Sequence, residues 1–244
     1  MTLQKCKFFG ENVSRINGVH FPFLIYYNQK GMITMPILEV TNVKKTYTAR
    51  IGAARVEALK NVTFTAEKGE YIAIMGESGS GKTTLLNILA ALDKPTGGKV
   101  ILDGADLSQL KEKETAKFRR DNLGFVFQDF NLLDTFTVRD NILLPLVLMG
   151  MNYGEMEKKL LPAAEKLGIS ALLDKYPYEI SGGQKQRTAA ARAMITEPKL
   201  LLADEPTGAL DSKASDELLA VFSKLNSEGQ TILMVTHDAF SASY

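Results

Sequence analysis

Cysteine is almost missing from this chain of 244 residues. Cys6 stands alone, which excludes an intrachain disulfide framework and a cysteine-built metal site and fits a reducing compartment. An excess of one charge is missing too. The 29 basic and 28 acidic residues leave a net +1, so no overall field draws the protein to nucleic acid or anionic lipid, and no nucleic-acid partner is expected. Nor is there a long hydrophobic run. The longest apolar stretch, Ile142 to Met151, is interrupted by Pro145 and Gly150, whereas a spanning helix needs roughly 20 apolar residues. Val19 to Tyr27 follows Lys5, Lys7 and Arg15, but it contains His20 and Pro22 and no small-x-small cleavage site follows it. It does not read as a secretory signal. Internal repeats and low-complexity tracts are also lacking.

What remains has the composition of a globular protein, 45% hydrophobic and 23% charged. Residues 1–34 hold no sustained periodicity and are expected to be an unstructured extension, or one created by a start assigned too early, since Lys30-Gly31 precedes Met32 and Met35. The ordered domain is expected over 36–244. Strands are predicted near Ile37–Thr46, Ala58–Ala66, Tyr71–Met75, Lys99–Leu102, Gly124–Phe127, Leu200–Ala203 and Thr231–Val235. Helices are predicted at Lys82–Leu92, Ser108–Arg120 and Ser212–Leu225, with a mostly helical section from Val138 to Glu197. In that section Met156, Leu160, Leu161, Ala164 and Leu167 have the spacing of one buried face, with a kink or break expected at Pro162. Apolar strands alternating with helices predict an α/β fold around a mostly parallel sheet covered on both faces.

The segment Gly76-Glu77-Ser78-Gly79-Ser80-Gly81-Lys82-Thr83, followed by Thr84, lies between a predicted strand and a predicted helix. Two glycines flanking four residues, then Lys and Ser/Thr, form the phosphate-binding loop pattern. The glycines let backbone N–H groups turn toward phosphate oxygens, and the helix start adds the positive end of its dipole. Lys82 is expected to reach the β and γ phosphates and the Thr83 hydroxyl to ligate Mg²⁺. Leu200-Leu201-Leu202-Ala203-Asp204-Glu205 is an apolar strand ending in two carboxylates. Asp204 is placed to hold Mg²⁺, and Glu205, one residue further on, is the candidate general base for water. The bland alternatives are a glycine-rich turn and a solvated strand end. An Asn-Lys-x-Asp guanine-reading motif is absent, which argues against a GTPase.

Ile180-Ser181-Gly182-Gly183-Gln184, followed by Lys185-Gln186-Arg187, resembles the signature motif of the ABC ATPase family. The resemblance runs in order through Gln128 after a strand, Gly208-Ala209-Leu210-Asp211 after the paired carboxylates, and His237 after the last strand. It covers roughly Pro36 to the chain end. It implies a P-loop NTPase core of RecA-like type, an N-terminal antiparallel β subdomain and an inserted helical subdomain at about 130–195. It further implies that ATP and Mg²⁺ are bound, that Tyr47 stacks on adenine, and that Gln128 binds Mg²⁺ or water. His237 would donate to the γ-phosphate, and Ser181 through Gln184, with Asp211, would meet nucleotide. Each has a plainer reading: Ser181 as an ordinary N-cap, Gln128 as a surface glutamine, and Tyr47 and His237 as strand-end packing.

The wording Phe125-Val-Phe-Gln-Asp-Phe-Asn-Leu-Leu-Asp134 is similar to the branch with lipoprotein-release, macrolide-export and bacitracin-resistance ATPases, the last above all. That implies a second copy of the chain in a head-to-tail ATP sandwich, a separate membrane permease, and a place on the cytoplasmic face of the membrane. Two other readings stay open: an ABC ATPase driving mechanical or signalling output of a membrane partner, and a soluble one acting on nucleic acid or ribosomes. Ile180 stands where leucine is usual, a swap of similar volume. The chain ends seven residues after His237, where relatives continue, and so reads as truncated at the C-terminus.

Overall fold

A computed structural model describes residues 23–28, 36–48 and 55–242. The chain divides into two compact units, one comprising residues up to Ala116 together with Leu233–Ser243, the other Lys117–Ile232.

In the first unit the antiparallel sheet is built on two long strands, β2 (Pro36–Thr48) and β3 (Arg55–Glu67). Leu38 faces Ala66 and Val40 faces Phe64, and in β3 the intervening Thr63 and Thr65 are exposed, so a period of two sorts its apolar side chains onto one face. β5 (Gly97–Leu102) adds to the other edge of β2, with Leu38 opposite Leu102 and Val40 opposite Val100, and the two-residue β6 (Ala105–Asp106) follows. β4 (Tyr71–Gly76) is different: four consecutive buried residues, Tyr71 to Ile74, mark a strand covered on both faces. Its neighbours are β1 (Phe23–Asn28), antiparallel, and β9 (Ile232–Thr236). Tyr71 donates its hydroxyl to the Met234 sulfur at 3.5 Å. α1 (Lys82–Leu89) leaves β4 through the glycine loop and buries Leu85, Leu86, Ile88 and Leu89.

The strand β1 corrects one expectation. Residues 23–28 carry regular structure because a β4 edge presents backbone donors and acceptors that a chain segment in extended conformation can pair, from Phe23↔Gly76 to Asn28↔Tyr71. The rest of the extension lies outside the described residues. A second correction concerns Ser108–Arg120. A 3₁₀ turn at Leu107–Gln109, capped by Asp106, is separated from α2 (Glu112–Asn122), because the Asp106 side chain takes Ser108 N and closes a local turn instead of opening a long helix.

In the second unit β7 (Leu123–Val126) and β8 (Leu200–Asp204) pair in parallel, Phe125 opposite Leu202. Helices α3 (Val138–Leu148), α4 (Tyr153–Lys166), α5 (Gly182–Met194) and α6 (Ser212–Ser227) accompany them. α3 starts with a reciprocal capping box between Thr137 and Asp140 and buries Val138, Ile142, Leu143 and Leu146. α4 buries Met156, Leu160 and Ala164, but Leu161 is 56% exposed, since it lies a hundred degrees of helical rotation from Leu160. The helix also runs through Pro162 without a break. Pro162 is exposed, so the carbonyl its missing N–H leaves unmatched is open to solvent. α7 (Ala239–Ala242) ends the described chain. No helix among the described residues is long and apolar enough to cross a membrane.

Candidate functional site

The first unit carries the phosphate loop. Gly76 ends β4, and the chain turns through Glu77, Ser78, Gly79 and Ser80, with Ser80 N donating to Glu77 O at 3.2 Å. Gly81 then adopts φ 93°, a left-handed conformation, and a Cβ placed there would lie 2.4 Å from Ala58 O. Only glycine satisfies both demands. Gly81 gives α1 no side-chain cap, so the first-turn N–H groups have no side-chain acceptor. Lys82 is 6% exposed and folds back over the loop, its Nζ donating to Gly76 O at 2.6 Å and Glu77 O at 2.8 Å. Ser80 Oγ is buried with no hydrogen-bond partner. A buried hydroxyl left unmatched, beside an uncapped helix start and a lysine, fits the oxygens of a polyphosphate. Thr83 is exposed on the first turn of the helix.

Tyr47 stands near the end of β2 and is 41% exposed. Its hydroxyl donates to Asp93 Oδ2 at 2.9 Å. Partial burial leads the causes that push its phenol above the ordinary value. His237, also exposed, follows β9, and Asp238 takes Ser241 and Phe240 N–H groups at the start of α7.

The second unit gathers the remaining candidates. Ser181 caps α5, its Oγ accepting from Gln184 N at 3.3 Å while Gln184 Oε1 accepts from Ser181 N at 2.9 Å. The plain N-cap reading of Ser181 is therefore true of the structure. Gly183 is buried, and a Cβ on it would lie 2.9 Å from the Ala214 Cβ of α6, so its bareness serves close helix packing. Gly182 lies beside Leu210 and Phe130. Asp211 caps α6, accepting from Ala214 N at 2.8 Å. Glu205 follows β8 at φ 45°, an uncommon conformation for a residue with a side chain and one that costs on the order of 1–3 kcal/mol. Gln128 packs on the turn after it: a Cβ on Gly208 would lie 3.0 Å from Gln128 Nε2 and 3.3 Å from Glu205 O.

One residue that the motif reading passed over ties these together. Gln186 is fully buried, and its Nε2 donates to Phe127 O at 3.0 Å and to Pro206 O at 2.7 Å. A single amide on α5 thus holds the backbone next to Gln128 and next to Glu205. Arg192, two turns on, donates to Phe130 O and Asn131 O at the far end of the same loop. Both residues lie on the predicted helix after the signature; their polar character inside an alanine-rich buried stretch was the available signal.

Thr83, Asp204 and Gln128 offer oxygen donors only, and among the described residues no cluster of three His, Cys, Asp or Glu could hold a metal by itself. Each is an oxygen ligand of the type that suits Mg²⁺, whose shell is completed largely by water and phosphate.

Residues 59–208 match the family model described as ABC transporter. The bacitracin export ATP-binding protein BceA of Halalkalibacterium halodurans is 52% identical over 211 residues, spanning 86% of this chain and 83% of that protein. The macrolide export ATP-binding/permease protein MacB of Rhodopirellula baltica is 46% identical over 206 residues, 83% of this chain and 30% of that protein. Among solved structures, the dimeric structure of the ABC transporter cassette MJ0796, from Methanocaldococcus jannaschii, has a TM-score of 0.75 at 43% identity, covering 84% of this chain and 90% of that one. Its post-hydrolysis form bound to ADP and Pi gives a TM-score of 0.75 at 42% identity, with coverage of 84% and 90%.

Proposed function

The chain belongs to the ABC transporter family as an ATP-binding, ATP-hydrolysing subunit, and we propose that two copies close head to tail on ATP to drive a separate membrane permease that exports a peptide antibiotic of the bacitracin kind. The observation that carries the nucleotide reading is the phosphate loop: an uncapped helix start, Lys82 over the loop carbonyls, and an unmatched buried Ser80 hydroxyl. In this reading Gly76 through Thr84 bind the phosphates, and Lys82 exchanges its loop carbonyls for β and γ oxygens. Tyr47 stacks on the base. Thr83, Asp204 and Gln128 would hold Mg²⁺, which when bound neutralises phosphate charge. Glu205 takes the proton of the attacking water, Gln128 orients that water, and His237 donates to the γ-phosphate. The α5 start of one copy, Ser181 to Gln184, meets the ATP bound at the other copy's loop, with Asp211 beside it. The export assignment follows the relative named for bacitracin export, and with it the place at the cytoplasmic face of the membrane.

Mixing variants tests the shared site. Lys82→Ala disables the phosphate loop, and Ser181→Asp keeps a competent N-cap while setting a carboxylate against phosphate. Gly183→Asp is a poorer choice, because any Cβ there strikes Ala214. In a mixed dimer one site carries both lesions and the other none. Hydrolysis on mixing that exceeds the residual rate of either protein alone is the expected result; no gain in demonstrated heterodimers overturns the shared site.

A further inference from the structure

The surroundings of Tyr47 form a construction that phosphate binding does not require. Lys45 and Tyr47 are two residues apart on β2, so they share one side of the strand. Lys45 is only 8% exposed. Its ammonium donates to Asp93 Oδ1 at 2.5 Å and to Lys94 O at 2.8 Å, and it stands 4.8 Å from the centre of the Tyr47 ring. The other oxygen of the same carboxylate, Oδ2, receives the Tyr47 hydroxyl at 2.9 Å. Asp93 is itself fixed by the turn that ends the phosphate-loop helix: its N–H donates to Asn87 O at 3.2 Å, just past Ala91 at φ 51°. A buried cation on the strand and a carboxylate in the turn after α1 together hold one half-exposed ring.

We propose that Lys45 and Asp93 are positioning residues for the nucleotide base: Asp93 fixes the Tyr47 ring through its hydroxyl, and Lys45 covers one ring face, leaving the other as the stacking surface for a purine. This rests on the reading of Tyr47 as the base platform. Lys45 is not a phosphate ligand, because its ammonium is already neutralised by the Asp93 carboxylate, whereas Lys82 is held only by neutral carbonyls that phosphate oxygens can replace. The cation adds a favourable contact with the ring quadrupole on the covered face, which makes that face the less available one to a base. A ring already held in place loses little freedom when a base stacks on it, whereas a free tyrosine must be ordered at that moment.

The experiment compares ATP with inorganic tripolyphosphate, which has the phosphates and no base, by calorimetric titration of the full chain. Asp93→Ala, Lys45→Met and Tyr47→Phe should each weaken ATP by about 3–10-fold while leaving tripolyphosphate within about twofold, the size expected for one ordered side chain. Tyr47→Phe combined with Asp93→Ala should be no worse than Asp93→Ala alone, since Asp93→Ala already removes the Tyr47 hydrogen bond along with the Lys45 ion pair. Equal weakening of ATP and tripolyphosphate would mean a disturbed α1 and overturns the proposal. If Tyr47→Ala weakens ATP selectively while Tyr47→Phe, Lys45→Met and Asp93→Ala do not, the platform stands and the positioning role falls. If Tyr47→Ala has no effect on ATP, the platform reading fails and the proposal with it. Should Asp93→Ala fold poorly, Tyr47→Phe breaks the same bond without touching the turn.

Discussion

The helices α1 and α5 both begin among glycines and hydroxyls, and their first turns are completed in opposite ways. At α1 the cap position is Gly81, no side chain accepts from the first turn, and the nearby Ser80 hydroxyl is unmatched. At α5 Ser181 and Gln184 satisfy each other reciprocally, and Gly183 packs against α6. An unmatched helix start is poised for an anion. A capped one is stable by itself and has only its remaining N–H groups to present. The difference matches the proposed division of labour, in which α1 holds the nucleotide within its own copy and α5 is brought to a partner's nucleotide at closure.

Lys82→Ala strikes the side of this comparison where the effect is largest. Turnover should fall by about 10²–10³-fold, the scale for removing one donor to developing charge, as measured by steady-state ATP hydrolysis. Turnover near the wild-type rate would remove the phosphate-loop assignment. Ser181→Asp should keep the thermal midpoint, because Asp caps as well as Ser, while hydrolysis falls at least about tenfold through the carboxylate's repulsion of phosphate. Retained hydrolysis would make α5's start a cap and nothing more. Gly81→Ala asks whether the uncapped turn depends on its backbone: strain at φ 93° and the collision with Ala58 O should cost about 1–3 kcal/mol, read by denaturant unfolding. An unchanged midpoint would show that α1 starts equally well without glycine. Ser181→Ala removes the cap alone and should cost about 1 kcal/mol of stability, with no comparable loss from Ser80→Ala, whose hydroxyl is unmatched.

The smallest effect lies beyond the far end of α1. Partial burial pushes the Asp93 carboxyl up, but hydrogen bonds from Lys45, Tyr47 and Lys94 N outweigh it and hold the group below its ordinary value of 3.8. A lowered carboxylate contributes stability above the unfolded value and loses it as pH falls through the folded one. The gap in thermal midpoint between wild type and Asp93→Asn should therefore be constant above about pH 5 and close as pH drops below 3.8. A gap that widens in acid would contradict the ionised, hydrogen-bonded carboxylate.

The phosphate loop and the paired carboxylates were legible because each is local: the spacing of Gly76, Gly81 and Lys82 specifies its own backbone, and an apolar run such as Leu200–Ala203 declares its burial. The antiparallel sheet was legible only through the family resemblance, since strand alternation in β2 and β3 says nothing of which strand each will pair with. Phe23–Asn28 was missed for the same reason. A six-residue strand is decided by the β4 edge that accepts it, and that edge is set by other parts of the chain.

Sequence alone determined the family, the fold class and most of the element order from β2 onward, because motif spacing and hydrophobic period are properties of neighbouring residues. Tertiary structure alone decided which polar groups are already engaged. Asp93 reaches Lys45 and Tyr47 across 48 and 46 positions, and Gln186 reaches Phe127 across 59. Such bonds depend on where the chain returns, and a buried donor takes whatever acceptor the packing brings to it.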